Sequence, residues 1–178
     1  MERKIEKSQI QQTINLKDIY GRDPDPRELS DFRDLAIERI IERTQDGKDI
    51  NGESFASYTK EYASEKGVSV NDVDLTDMGD MLLGIDGTNR GSSIILEMDK
   101  DQAGKAHGNI TGSYGKPSPD SSKARDFFGL NDSEIRQIAN DVKVDIAEPL
   151  QSITIPSLFE SREINIDEIL RNIGLFVD

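Results

Sequence analysis

Ile135, Ile138, Ala139, Val142 and Ile146 recur at i, i+3, i+4, i+7 and i+11, the spacing of one face of an α-helix. A stripe this regular demands an apolar surface to pack on, so the chain must build a core. Asn131 stands at the N-cap and Glu134 three residues later, the signature of a capping box. Pro149 and Pro156 follow, and the pattern predicts a helix over 132–147. A second helix is announced in the same way. Asp25 caps, Pro26 fits the first helical position and Glu28 closes the box. Leu29, Phe32, Leu35, Ala36 and Ile40 then form its core stripe, widened by Ile37 and Ile41. That helix should run over 25–44, before the turn signals Asp46-Gly47 and Asn51-Gly52.

Weaker signals fill the rest. Tyr58 and Tyr62 lie one turn apart in a short helix expected over 57–66, stopped by Gly67. A helical turn over 76–83 would be capped by Thr76. Ile85-Asp86-Gly87 and Asn89-Arg90-Gly91 frame a turn before a strand over 92–98, whose Ile94-Ile95-Leu96 run is β-branched and apolar. Residues 104–122, rich in Gly, Ser, Lys and Pro, read as a long loop that orders only against a neighbour. Phe127-Phe128-Gly129-Leu130 is a hydrophobic block. In residues 1–24, Ile5, Ile10 and Ile14 fit neither a helix nor a strand, and Gly21-Arg22-Asp23-Pro24 breaks the chain. The expectation is therefore an N-terminal arm (1–24), a core domain (25–147) and a C-terminal arm (148–178). The fold class is α+β, with a small, mostly antiparallel sheet packed against helices 25–44 and 132–147.

Composition narrows function. Of 178 residues, 34% are apolar and 32% charged, which supports one modest core. No stretch approaches the ~18 consecutive apolar residues of a membrane span. Residues 1–11 lack the apolar centre of a signal peptide. Cysteine is absent, which removes disulfides, thiolate catalysis and cysteine–zinc sites. A net charge of −13 argues against a protein that grips nucleic acid. These features suit an intracellular, acidic binding or structural protein.

Several motifs come close to known chemistry and fail. Asp99, Asp101 and Gly104 fit positions 1, 3 and 6 of a calcium loop, but Ala103 and Ile110 occupy positions that need oxygen ligands. Gly115-Lys116 lacks the flanking Gly and Ser/Thr of a phosphate loop. His107 is the only histidine, and no patterned Ser or second ligand accompanies it, so it reads as a polar residue entering a loop. Paired carboxylates cannot be singled out among 35 acidic residues. Arg125 precedes a phenylalanine pair and reads as a salt-bridged flank of a buried block.

Three segments in order resemble a known family. The first is Arg43-Thr44-Gln45-Asp46-Gly47-Lys48-Asp49-Ile50-Asn51-Gly52-Glu53-Ser54-Phe55, continuing through Tyr58 and Tyr62 to Lys66-Gly67. The second is Val73-Asp74-Leu75-Thr76-Asp77-Met78-Gly79-Asp80-Met81-Leu82. The third is Ala106-His107-Gly108 followed by Ala124-Arg125-Asp126-Phe127-Phe128-Gly129-Leu130. Together they resemble the tail-completion, or virion-morphogenesis, proteins of tailed bacteriophages, over roughly residues 25–147. The family often has Trp where this chain has Phe55, and Pro beside the Arg where it has Lys123 and Asp126.

The resemblance implies a structural subunit of the head–tail junction rather than an enzyme. It implies a homo-oligomeric ring that contacts other neck, connector or tail proteins, assembled in the host cytoplasm and located in the virion. DNA would pass its lumen without tight binding, and no cofactor, metal or membrane is involved. The candidates for subunit contact are Arg125, Phe127, Phe128, Ile166, Ile169, Leu170, Ile173 and Phe176. The alternatives are an acidic adaptor or inhibitor of a basic protein, and a carboxylate-based hydrolase. Magnitudes speak to the C-terminal arm. The seven apolar side chains in residues 164–176 gain on the order of 10–20 kcal/mol on full burial. Ordering those thirteen backbones costs about 13–26 kcal/mol. The arm therefore needs an apolar surface that already exists, expected on a neighbouring chain.

Overall fold

The computed structural model describes residues 2–76, 80–114 and 120–147. They belong, but for residue 147, to the compact unit Met1–Ile146. The fold is α+β, a four-stranded antiparallel sheet with six α-helices among the described residues. The C-terminal arm, with Ile166, Ile169, Leu170, Ile173 and Phe176, lies outside the described residues, as do 115–119 of the expected loop.

The sheet corrects the reading of residues 1–24. They are not an arm: β1 (Glu2–Glu6) and β2 (Gln9–Asn15) form a hairpin through Lys7-Ser8, and β2 is a central strand. The strand order is β1-β2-β4-β3, with β4 at Ser93–Met98 and β3 at Ile85–Arg90. Ile14 pairs with Ile94 and Gln12 with Leu96 across β2 and β4. Ile10, Ile14, Ile94 and Leu96 are buried on the inner face, whereas Glu97 of the outer face is exposed. The sheet is thus covered on one side and polar on the other, as antiparallel sheets tolerate. A short helix, α1 (Leu16–Tyr20), ends at Gly21 in the left-handed conformation.

Residues 85–91 also differ from expectation. Ile85–Arg90 is a strand rather than the frame of a turn, and the chain reverses at Gly91-Ser92 between the paired Arg90 and Ser93. Gly91 has φ +59°, which this tight hairpin requires at its first loop position.

The two long helices form where their caps place them. α2 (Pro26–Gln45) begins with the full Asp25 and Glu28 capping box and buries Leu29, Phe32, Ala36 and Ile40. A second short helix, α3 (Lys60–Lys66), starts later than expected because Thr59 caps it, and ends at Gly67. α4 (Asp80–Leu83) is a single turn.

Residues 100–111 are a helix, α5 (Lys100–Thr111), not the first half of a loop. Asp99 caps it through the Asp101 N–H (2.8 Å). Ala103, Ala106 and Ile110 supply its buried stripe. With α2, it is α5 that lies against the sheet. The last helix, α6 (Asp132–Ala147), is tied to α2 by side-chain contacts. Arg43 pairs with Glu134 at 2.6 Å, and Arg39 donates to Gln137 at 3.4 Å. Asn131 accepts from the Ser133 and Glu134 N–H groups, and Glu134 accepts from the Asn131 N–H.

Candidate binding cleft

Two loops and a helix meet around Arg125. The loop after α2 turns at Gly47, whose φ is +72° and whose absent Cβ would sit 2.9 Å from the Val73 carbonyl oxygen; only glycine allows that approach. The Ile50 N–H donates to the Asp126 carbonyl (2.8 Å), and the Asn131 side-chain amide donates to the Ile50 carbonyl (2.7 Å). Thus the 46–55 turn is fastened to the 125–131 segment. The Arg125 N–H donates to the Asn109 carbonyl at the end of α5 (2.8 Å). The first and third of the segments that carry the resemblance are therefore joined by hydrogen bonds between residues far apart in the chain, and Val73 of the second packs against Gly47 of the first.

Between them lies a cleft of about 540 Å³. Tyr58 and Tyr62 form one wall, their rings edge to face with centroids 4.8 Å apart. Leu75 and Met81 line the interior, and Tyr114 stands opposite. The α5 wall presents Gly104 and Gly108, where side chains would narrow the opening. Tyr62 and Tyr114 are 38% and 43% exposed, among the few large hydrophobic side chains open to solvent in the described residues. Tyr114 holds φ +40°, an uncommon conformation for a bulky residue and one that concentrates at functional sites. Burial pushes its phenol pKa up, opposed by the nearby Arg125 charge.

Arg125 is 7% exposed. Its Nε donates to the Ala56 carbonyl (3.0 Å), Nη2 to the Ser57 carbonyl (3.4 Å) and Nη1 to the Tyr114 hydroxyl (2.6 Å). The guanidinium carbon lies 5.0 Å from the Tyr58 ring centroid and 5.8 Å from that of Tyr114. The salt bridge expected for Arg125 is not there. No carboxylate among the described residues stands within ion-pair distance of it, because the nearby acids are engaged elsewhere. Asp74 holds Lys66 (2.5 Å), Asp120 holds Lys123 (3.6 Å), and Asp126 pairs with Arg3 of β1. Burial opposes ionisation of Asp74, but hydrogen bonds from Lys66 and Thr76 outweigh it and lower its pKa to about 2. Lys66 also stands 5.2 Å over the Tyr58 ring, so two cations flank that tyrosine.

The other candidate residues fall elsewhere. Phe127 and Phe128 are fully buried in the core, which corrects their assignment as subunit contacts, since a completely covered side chain offers a neighbour no surface. His107 sits half-buried on α5, and its carbonyl accepts from the Thr111 hydroxyl (2.7 Å). Asp99 and Asp101 serve the α5 N-terminus. Gly115 and Lys116 lie outside the described residues. Among the described residues, no group of three or more His, Cys, Asp and Glu is arranged to hold a metal ion, and no helix is long and apolar enough to cross a membrane. Sequence reasoning found Arg125 but missed the cleft. Its signal was the spacing of Ala103, Ala106 and Ile110 between Asp99 and Gly112, which marks a helix and hence a wall.

Comparison with protein-family models, with curated proteins and with solved structures finds no match to this chain.

Proposed function

We propose that the chain is a structural subunit of a tailed-phage head–tail junction, a ring that joins tail to head and lets DNA pass. The observation that carries this reading is the convergence around Arg125. The first and third of the segments whose order resembles the tail-completion proteins are fastened to each other by hydrogen bonds, as residues that define a shared architecture should be. The polar outer face of the sheet and the acidic composition favour the same reading, because a ring traversed by DNA must not hold phosphates. In this reading the helices 25–44 and 132–147 are the rigid body of each subunit, and residues 148–178 reach a neighbour.

Electron microscopy of the purified full chain, alone and in virions, tests it. Closed rings in solution, and the same ring at the neck of the particle, are the expected result. A protein that stays monomeric and is missing from virions would overturn it.

A further inference from the structure

We propose that the cleft around Arg125 receives residues 163–176 of a second copy of this chain. Three features of the cleft ask for an acidic, aliphatic occupant. First, Arg125 is a buried cation whose partners among the described residues are all neutral. Carbonyl oxygens and two rings compensate part of its desolvation, as cation–π contacts do, but buried charge is ordinarily paired. Second, the interior is apolar and aromatic, through Tyr58, Leu75 and Met81. Gly104 has open space beyond its would-be Cβ, room that an apolar side chain of an occupant can fill. Third, three cations line the same opening, Arg125, Lys105 and Lys123, against one carboxylate, Asp120, which holds Lys123, in a chain where acids outnumber Lys and Arg by 35 to 22.

Residues 163–176 complement this chemistry. Glu163, Asp167 and Glu168 face a single base, Arg171, within that stretch. Ile166, Ile169, Leu170 and Ile173 follow at i, i+3, i+4 and i+7, the anchor spacing of a helix laid in a groove. Burial of its apolar side chains does not exceed the entropy of ordering its backbone, which calls for a ready apolar surface. A cleft of about 540 Å³ has the size of pockets that bury a drug-sized ligand, ~300–1,000 Å³. It accepts one apolar edge of the segment, with a carboxylate set on Arg125. The inference rests on the association of copies proposed above, and not on the phage role.

The cysteine-free chain makes the test direct. Two full-length variants are prepared, Gly104→Cys and Ile169→Cys, each with one thiol. Gly104 is exposed with nothing within 4 Å of its Cβ position, so the first variant should keep the parent's circular dichroism. Mixed under mild oxidation, the two chains should form a disulfide-linked heterodimer. Its yield should exceed at least tenfold that of Ile169→Cys mixed with Glu42→Cys, an exposed position on α2. Adding Tyr62→Ala, which removes a wall of the cleft, should lower the yield several-fold. A yield no greater than the Glu42→Cys control would overturn the proposal. So would a cross-link that forms only inside a single chain carrying both Gly104→Cys and Ile169→Cys. Sedimentation of the same mixtures separates the two ideas. Association without the cross-link rejects this docking site alone, whereas a monomer at every concentration rejects the ring as well.

Discussion

Arg43 and Arg125 are buried to nearly the same depth, 8% and 7% exposed, yet their surroundings have opposite character. Arg43 joins α2 to the start of α6. It pairs with Glu134, itself largely covered, and donates to the Phe127 and Gly129 carbonyls at 2.6 and 2.8 Å. Its charge is answered inside the fold. Arg125 stands at the wall of a cleft, held by neutral oxygens and flanked by tyrosines, while the carboxylates around it hold other cations. The same residue type thus serves closure in one place and reception in the other. Burial alone does not distinguish structural charge from binding charge; the identity of the partners does.

The comparison breaks most sharply under truncation of the first arginine. Arg43→Ala leaves Glu134 without its partner and two carbonyls without a donor. Removing one member of a buried pair costs about 3–5 kcal/mol, and urea denaturation should show that loss. Arg125→Met strands no carboxylate. Its cost should be about 1–3 kcal/mol, the range for lost hydrogen bonds, with association weakened beyond what stability explains. Equal destabilisation by the two variants would erase the distinction.

A smaller effect sharpens it through pH. Asp74 ionises near pH 2 in the folded chain against ~3.9 when unfolded. Its contribution is therefore complete above pH ~4 and disappears as pH falls towards 2. The side chain is 34% exposed, so solvent screening holds that contribution below ~1 kcal/mol. Asp74→Asn should flatten the loss of stability between pH 4 and 2.5; an unchanged acid limb would place that loss elsewhere. The smallest effect belongs to the rim. Lys123 is half exposed, and Lys123→Ala should shift stability by less than ~0.5 kcal/mol while lowering the heterodimer yield. A large loss of stability would make the rim part of the fold rather than of the docking surface.

What was legible in the sequence divides along similar lines. α2 and α6 declare themselves because cap, box and stripe agree in each. The Ile94-Ile95-Leu96 strand is legible for its β-branching. β2 is not, because its inner face alternates Ile10, Gln12 and Ile14, and the glutamine breaks the pattern. Gln12 is nevertheless fully buried, with its amide donating to the Leu130 carbonyl and accepting from the Leu130 N–H, both at 2.8 Å. Backbone pairing of that kind makes a polar residue a core residue, and no periodicity reveals it. α5 is hidden for another reason. Gly104 and Gly108 lower helix propensity, but Gly108 lets the backbone of Tyr114 approach to 3.4 Å of its Cβ position, and Gly104 opens the cleft. Composition signalled a loop where packing required small residues. Arg125 was singled out, but its neighbours come from positions around 58, 75, 81 and 114, a juxtaposition only the fold creates.

One measurement bears directly on the claim that the cleft holds copies together. Sedimentation velocity compares the full chain with Gly104→Leu, which fills the cleft from an exposed helix position and replaces a glycine with a better helix former. The parent should sediment as a closed oligomer. The variant, folded and at least as resistant to urea, should sediment as the 19.9 kDa monomer. Identical oligomers from both proteins would contradict the claim, because copies would then associate through a surface that the cleft does not supply.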